Sequence, residues 1–323
     1  MHIIDTPHRL SLANIERAAA AIDPLFLNSP QFESEPLSQA LGCTVTLKVE
    51  TMNPLRSFKG RGADFFMYEA AQHLAGRALV CASAGNWGQA MAYACRKRGL
   101  PLVVYTATTA NPLKLERMRA MGAELRLHGE DFDAAKGEAR RFCEESGARF
   151  VEDGREAAIA EGAGTIGMEL MRLRHGIDTV VLPLGNGALL TGVGRWIKAV
   201  APEVRVIGVC SDGADAMAAS WALGRAVDRP RVDTIADGIA VRRPVPEAVA
   251  DMPGCVDDLL LVSDAAIEQA MRLLCAKAGL VVEPAGAAGV AAVIEHPPLR
   301  RQRVATVLCG SNITAEQQAR WLG

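Results

Sequence analysis

The sequence predicts an α/β protein with two open, twisted and largely parallel sheets flanked by helices. Short apolar runs of strand length alternate with longer helical stretches along most of the chain. Such alternation builds βαβ units, whose strands run parallel. The length of 323 residues suggests about two domains built of such units, at roughly 150 residues per domain.

The elements follow in order. A helical segment at Leu12–Ala21 gives way to a stretch interrupted by Pro24, Pro30 and Pro36. Runs at Ala78–Ala82, Leu102–Tyr105, Glu124–Leu127 and Arg149–Val151 have the length of buried strands, with helical patterns at Gly88–Arg98, Pro112–Met121 and Phe132–Glu145. A second series of strands is expected at Thr179–Leu182, Arg205–Val209, Leu259–Val262 and Val304–Leu308. Its helices are expected at Leu190–Val200, Asp264–Ala278 and Ala285–Glu295. No low-complexity linker and no repeat beyond the βαβ rhythm is evident. The expected division is a small domain over 70–150 and a discontinuous large domain over 1–69 and 151–323.

Composition narrows the function. The net charge is −2, with 50% apolar and 22% charged residues. A chain this long buries about three quarters of its unfolded surface, so it needs neither disulfides nor a metal to fold. A nucleic-acid partner is not expected, because binders carry a basic excess or stripe. The few aromatics (4 Trp, 3 Tyr, 8 Phe) also disfavour base stacking. No run approaches 18 uncharged apolar residues, so no membrane helix is expected. Asp5, His8 and Arg9 fall where a signal peptide needs its apolar stretch. The eight cysteines form no C-x-x-C pair and read as free thiols of a cytoplasmic protein.

Three polar or glycine-rich clusters sit where strands should end, which is where open α/β sheets bind ligands. They are Cys81–Gln89, Leu182–Gly192 and Val307–Asn312. The second has the physics of a phosphate cradle: glycines admit backbone N–H groups to an anion, and a helix N-terminus follows. It lacks Gly-Lys-Ser/Thr and is not a triphosphate P-loop. Gly185, Gly187 and Gly192, with Asp212 beyond, leave a dinucleotide site or a structural turn open as alternatives. A fourth cluster, Asn53–Ala63, places Lys59 among small and apolar residues. A partly desolvated lysine is a usable amine nucleophile, whereas a lone lysine is more often a solvated loop residue. An amine nucleophile and a phosphate cradle together suggest pyridoxal phosphate.

The chain resembles the pyridoxal-phosphate enzymes of the tryptophan-synthase-β-like fold, specifically the threonine/serine dehydratase branch. The resemblance rests on an ordered set of motifs. These are Ser57-Phe58-Lys59-x-Arg61-Gly62-Ala63, Ser83-Ala84-Gly85-Asn86-x-Gly88-Gln89, Gly162-x-Gly164-Thr165-Ile166-Gly167, Asp237–Val241 and Glu283–Ala287. It implies a cofactor in the cleft between the domains, held by Lys59 as a Schiff base. Asn86 would hydrogen-bond the ring 3′-oxygen, and the N–H groups of Gly185, Asn186, Gly187 and Ala188 would bind the phosphate. Phe58, Leu189 and Glu283 would complete the cofactor site. Cys309 or Ser311 would face the pyridine nitrogen as a neutral partner. Ser83, Ala84, Gly85, Asn86 and Trp87 would surround the substrate.

The implied reaction is dehydration and deamination of a β-hydroxy amino acid to a 2-oxo acid and ammonia, with Lys59 as general base. The alternatives are a β-replacement transferase of the cysteine-synthase kind and a cofactor-binding protein without catalysis. A nicotinamide-binding oxidoreductase would leave Lys59 and Cys309–Asn312 without roles. A homodimer is the family expectation.

Four departures shape the details. The phosphate loop reads Gly-Asn-Gly-Ala, which keeps its backbone donors. Trp87 replaces the usual histidine, which points either to a substrate bulkier than serine, such as phenylserine, or to packing. Ala84 replaces the second serine of relatives that racemise serine, so racemisation is not expected. Cys210 and Ala216 replace two acids of a metal site, and Asp212 and Asp215 alone leave the oxygen ligand set broken, so no metal is expected. Gly323 follows soon after the Cys309–Asn312 cluster, so hyperbolic kinetics without isoleucine inhibition are expected.

Overall fold

The structure, a computed structural model, describes residue 4, residues 6–74 and residues 77–323. Asp5, read above against a signal peptide, lies outside them. Ten strands form two sheets. They are β1 (Gln31–Glu33), β2 (Val45–Val49), β3 (Leu79–Ala82), β4 (Leu102–Thr106), β5 (Glu124–Leu127), β6 (Arg149–Phe150), β7 (Thr179–Pro183), β8 (Arg205–Ser211), β9 (Asp258–Val262) and β10 (Val304–Leu308). The larger sheet runs β1-β2-β10-β7-β8-β9 and the smaller β5-β4-β3-β6. Every pairing is parallel except that of β1 with β2.

The central strands are buried at every position in β2, β3, β4, β7 and β10. Helices on both faces explain this, because parallel sheets expose neither side. In each sheet the order of strands reverses once. The chain steps from β3 outward to β4 and β5, then returns to the other side of β3 as β6. Likewise it steps from β7 to β8 and β9, then returns beside β7 as β10. Such reversals open a crevice beyond the carboxyl ends of the two strands concerned. The molecule therefore has two crevices, one per sheet.

Several elements went unmarked in the sequence. Strand β2 is one, and the helices Lys59–Ala70 and Ala157–Leu170 are others. Those helices and β2 are joined by a buried ion network. The Arg61 guanidinium, fully buried, donates to Glu50 at 2.8 and 2.9 Å and to Glu169 at 2.7 and 2.9 Å. Lys48 Nζ reaches Glu169 at 2.5 Å, and Arg61 also donates to Thr165 Oγ1 at 2.9 Å. Burial by itself would raise the Glu169 carboxyl, but Arg61 and Lys48 outweigh it and hold it at about 2. The network fixes the start of the helix that carries Lys59.

Helix Ala157–Leu170 packs along helix Ala188–Val200, with Gly192 facing the Ala160 carbonyl oxygen. A Cβ at Gly192 would collide with that oxygen. Gly192→Ala is therefore expected to destabilise the protein by about 1–3 kcal/mol through overpacking. A lowered urea midpoint at unchanged slope checks this, and an unaltered midpoint contradicts it.

At the position read as a broken metal site, Cys210 is buried in β8 and Asp215 is held by Arg229 at 2.6 and 2.7 Å. No group of three or more His, Cys, Asp or Glu side chains suited to a metal exists among the described residues. All eight cysteines are free thiols. No helix among the described residues is long and apolar enough to cross a membrane.

Candidate active site

A single cavity of about 530 Å³ joins the two crevices. Ala82 at the end of β3, Ser83 after it and Val151–Asp153 after β6 line it from the smaller sheet, while Pro183–Leu189 and Cys309 line it from the larger one, except that Leu184 turns away. Three of the sequence clusters thus meet at one place, and Phe58 and Lys59 bring in the fourth.

Lys59 is the first residue of its helix. The loop before it is stitched to the loop after β10: Phe58 N donates to the Cys309 carbonyl at 3.1 Å, and Ser57 bridges Gly310. Its side chain is 16% exposed, open enough to react. Its Nζ lies 2.5 Å from Asp153 Oδ2 and 4.6 Å from the Phe58 ring centroid.

Opposite lies Gly185–Leu189, all of which lines the cavity. Gly187 takes a left-handed φ of +93° and starts the helix Ala188–Val200 without a capping side chain. The first-turn N–H groups have no partner within the helix. Thirteen residues of aligned peptide dipoles make this end attractive to an anion.

Asn86 and Glu283 belong to one buried hydrogen-bond network. Asn86 Nδ2 donates to Glu283 Oε1 at 2.5 Å, and Asn86 Oδ1 accepts from Asn312 Nδ2 at 2.8 Å. Glu283 Oε2 accepts the Asn312 N–H at 3.1 Å. Burial raises the Glu283 carboxyl, and nearby Lys114 counters only part of that. Cys309 lines the cavity, and burial pushes its thiol up, so it is uncharged at neutral pH. Ser311 does not line the cavity; its backbone N–H instead donates to the Arg56 carbonyl at 2.9 Å. Of the two residues considered for the ring nitrogen, only Cys309 faces the site.

The expected substrate loop departs from expectation in one respect, its helical second half, while the bonds that Ser83 Oγ accepts leave its O–H able to donate. Ser83 Oγ is occupied as an acceptor, taking the N–H groups of Gly85 at 3.1 Å and Gly88 at 2.9 Å. Asn86 and Trp87 lie in the first turn of helix Asn86–Lys97 rather than in a loop. Trp87 is 6% exposed, touches the cavity, and packs in a core with Leu79, Met91 and Met118, which supports the packing alternative. Ala84 and Gly85 also line the cavity.

Three lining residues escaped the sequence reading. Lys114 is 3% exposed and donates to Asp237 at 2.6 Å. Its setting, Pro-Leu-Lys-Leu-Glu-Arg, reads as a solvated helix face. Asp237 lies in a segment matched to the family without a role. Asp153 had no signal beyond following a strand.

A nucleophilic amine, an uncapped helix start with glycines, a neutral thiol and a buried amide in one cavity fit pyridoxal phosphate. The family described as pyridoxal-phosphate dependent enzyme matches residues 22–310. An L-threonine ammonia-lyase of Thermotoga maritima is 35% identical over 304 residues, covering 94% of this chain and 76% of that protein. The biosynthetic L-threonine dehydratase of Escherichia coli K12 is 32% identical over 288 residues, covering 88% of this chain and 56% of that protein. Maize serine racemase superposes with a TM-score of 0.90 at 26% identity, covering 97% of each chain.

Proposed function

The chain belongs to the pyridoxal-phosphate-dependent enzyme family, in its threonine/serine dehydratase branch of lyases, and we propose that it converts L-threonine and similar β-hydroxy amino acids to a 2-oxo acid and ammonia by β-elimination. The observation that supports this most is the gathering of Lys59, Gly185–Leu189 and Cys309 around one cavity.

When bound, pyridoxal phosphate supplies an electron sink for charge that builds at the substrate Cα. Lys59 Nζ would hold the cofactor and would serve as the base that takes the proton from Cα. Backbone N–H groups of Gly185, Asn186, Gly187, Ala188 and Leu189 hold the phosphate. Phe58 and Glu283 wall the cofactor, with Glu283 orienting Asn86 toward it. Cys309 partners the ring nitrogen and brings no charge. The start of helix Asn86–Lys97, with Ser83, Ala84 and Gly85, receives the substrate carboxylate. Ala84 presents a methyl group with no exchangeable proton to supply as an acid, so we assign no racemisation. Residues 70–150 act as the small domain, and the protein works as a homodimer in the cytoplasm.

The test is 2-oxo acid and ammonia release from serine, threonine, phenylserine and hydroxyaspartate isomers. L-Threonine should give both products at equal rates, with kcat/KM above that for phenylserine. A new amino acid formed only on addition of a thiol would favour β-replacement instead. An intact cofactor absorbance band with no 2-oxo acid from any isomer would leave only binding. Sedimentation at the assay concentration checks the dimer.

A further inference from the structure

The acids that line the cavity are each matched to a partner. Asp237 takes Lys114, Glu152 takes Lys136 and Arg140, and Asp133 takes Arg242. Glu283 is held by Asn86 and the Asn312 N–H. Asp153 is matched to Lys59 itself, at 2.5 Å, and is the only carboxylate paired with it among the described residues.

Two details separate this pair from an ordinary structural ion pair. Asp153 is 6% exposed, yet its Oδ1 is buried without a hydrogen-bond partner among the described residues. A buried carboxylate kept for stability alone normally has both oxygens satisfied. Its position is also enforced. Gly154, at a left-handed φ of +87°, brings the loop after β6 so close to the Asn186 carbonyl that a Cβ would collide with it. Asp153 is thereby pinned between Lys59 and the phosphate loop.

We propose that Asp153 is a positioning residue for Lys59: it aims Nζ and places an opposite charge 2.5 Å from it, both when the lysine is joined to the cofactor and after it has taken the substrate proton. This rests on Lys59 carrying the cofactor. In the proton-transfer step the Cα–H bond breaks and an N–H bond forms at Nζ. The electron pair left at Cα forms the Cα=Cβ bond as the Cβ–O bond breaks, and the oxygen leaves with that bond's pair as hydroxide, which takes a proton from solvent to become water. Asp153 exchanges no proton; it accepts a charge-assisted hydrogen bond from Nζ.

Other ionisable groups facing the pair leave this role to Asp153. Glu50 is held by Arg61, Arg155 pairs with Glu247, and Cys309 is a neutral thiol. Of the other charged residues lining the cavity, Asp131 pairs with Arg242, Arg243 lies by Asp133 and Asp228, and Arg231 is a further cation.

The test uses the holoenzyme and the variants Asp153→Asn and Asp153→Glu. Without substrate, the pH midpoint of the lysine–cofactor absorbance band should fall by about one unit or more in Asp153→Asn, because an opposite charge at this range shifts a titration by about 1–3 units. Asp153→Glu should restore most of that shift. In Asp153→Asn, kcat should fall by about 10–100-fold while KM changes less than threefold. Circular dichroism and borohydride labelling of Lys59 in each protein establish that fold and cofactor linkage persist. A labelled Asp153→Asn enzyme with unchanged midpoint and unchanged kcat profile overturns the assignment and leaves the lyase reading standing. A parent not labelled at Lys59 overturns both.

Discussion

Lys59→Ala should abolish 2-oxo acid formation, with kcat lower by at least about 10³-fold. The substitution removes a nucleophile and a general base together, and the base alone is worth about 10²–10⁴-fold. Borohydride reduction of the parent holoenzyme should place the cofactor on the peptide that contains Lys59, and the variant should yield no such label. The cavity offers two other lysines, and one of them, Lys136, is held by Glu152. Lys114 also lines it and is nearly inaccessible, but its amine is held by Asp237 at 2.6 Å. Lys48 is fully buried, serves the Glu169 network and does not reach the cavity. A label on Lys114 or Lys48 would refute the assignment.

The second large effect is on stability. Arg61→Met should cost about 3–5 kcal/mol, the usual consequence of stranding a buried charge, because Glu50 and Glu169 lose their shared cation. Urea unfolding measures it. The pH dependence has a definite sign. Glu169 is held at about 2 in the folded protein against an ordinary 4.5. A depressed carboxylate contributes stability that is fully present above 4.5 and lost as pH falls toward about 2. The gap between Arg61→Met and the parent should therefore shrink as pH drops through that window. A gap that stays constant from pH 6 to pH 3 would mean that the arginine acts by packing rather than charge.

The legible parts of the sequence were those where one physical rule dominated. Glu124–Leu127, Val304–Leu308, Leu12–Ala21 and Asp264–Ala278 come out to the residue, because their patterns switch cleanly at turn or capping signals. The parallel sheets followed from the alternation of elements. The cavity residues were legible through glycine and polar clusters at strand ends, reinforced by the family motifs. The rest was hidden by tertiary burial of polar groups. Strand β2 alternates polar Thr46 and Lys48 with apolar residues and looks like a surface ribbon, yet all five positions are buried. Helix Lys59–Ala70 carries Gly60 and Gly62 and buries Arg61 and Asp64, so it shows no apolar stripe. Helix Ala157–Leu170 is covered nearly all round and contains Gly162, Gly164 and Gly167, which local propensity counts against a helix. Position favours Cys309 over Ser311 without excluding the latter, since their difference lies in which way the chain turns after β10.

The two strand-order reversals open onto one shared space rather than onto separate ends of the molecule. A ligand lodged there is gripped by both sheets simultaneously, and its binding free energy acts as tertiary structure. Occupancy and folding are then thermodynamically linked: free cofactor at a hundredfold excess over its Kd adds about 2.7 kcal/mol to the native state. Removing the cofactor should therefore lower the unfolding midpoint as well as the activity.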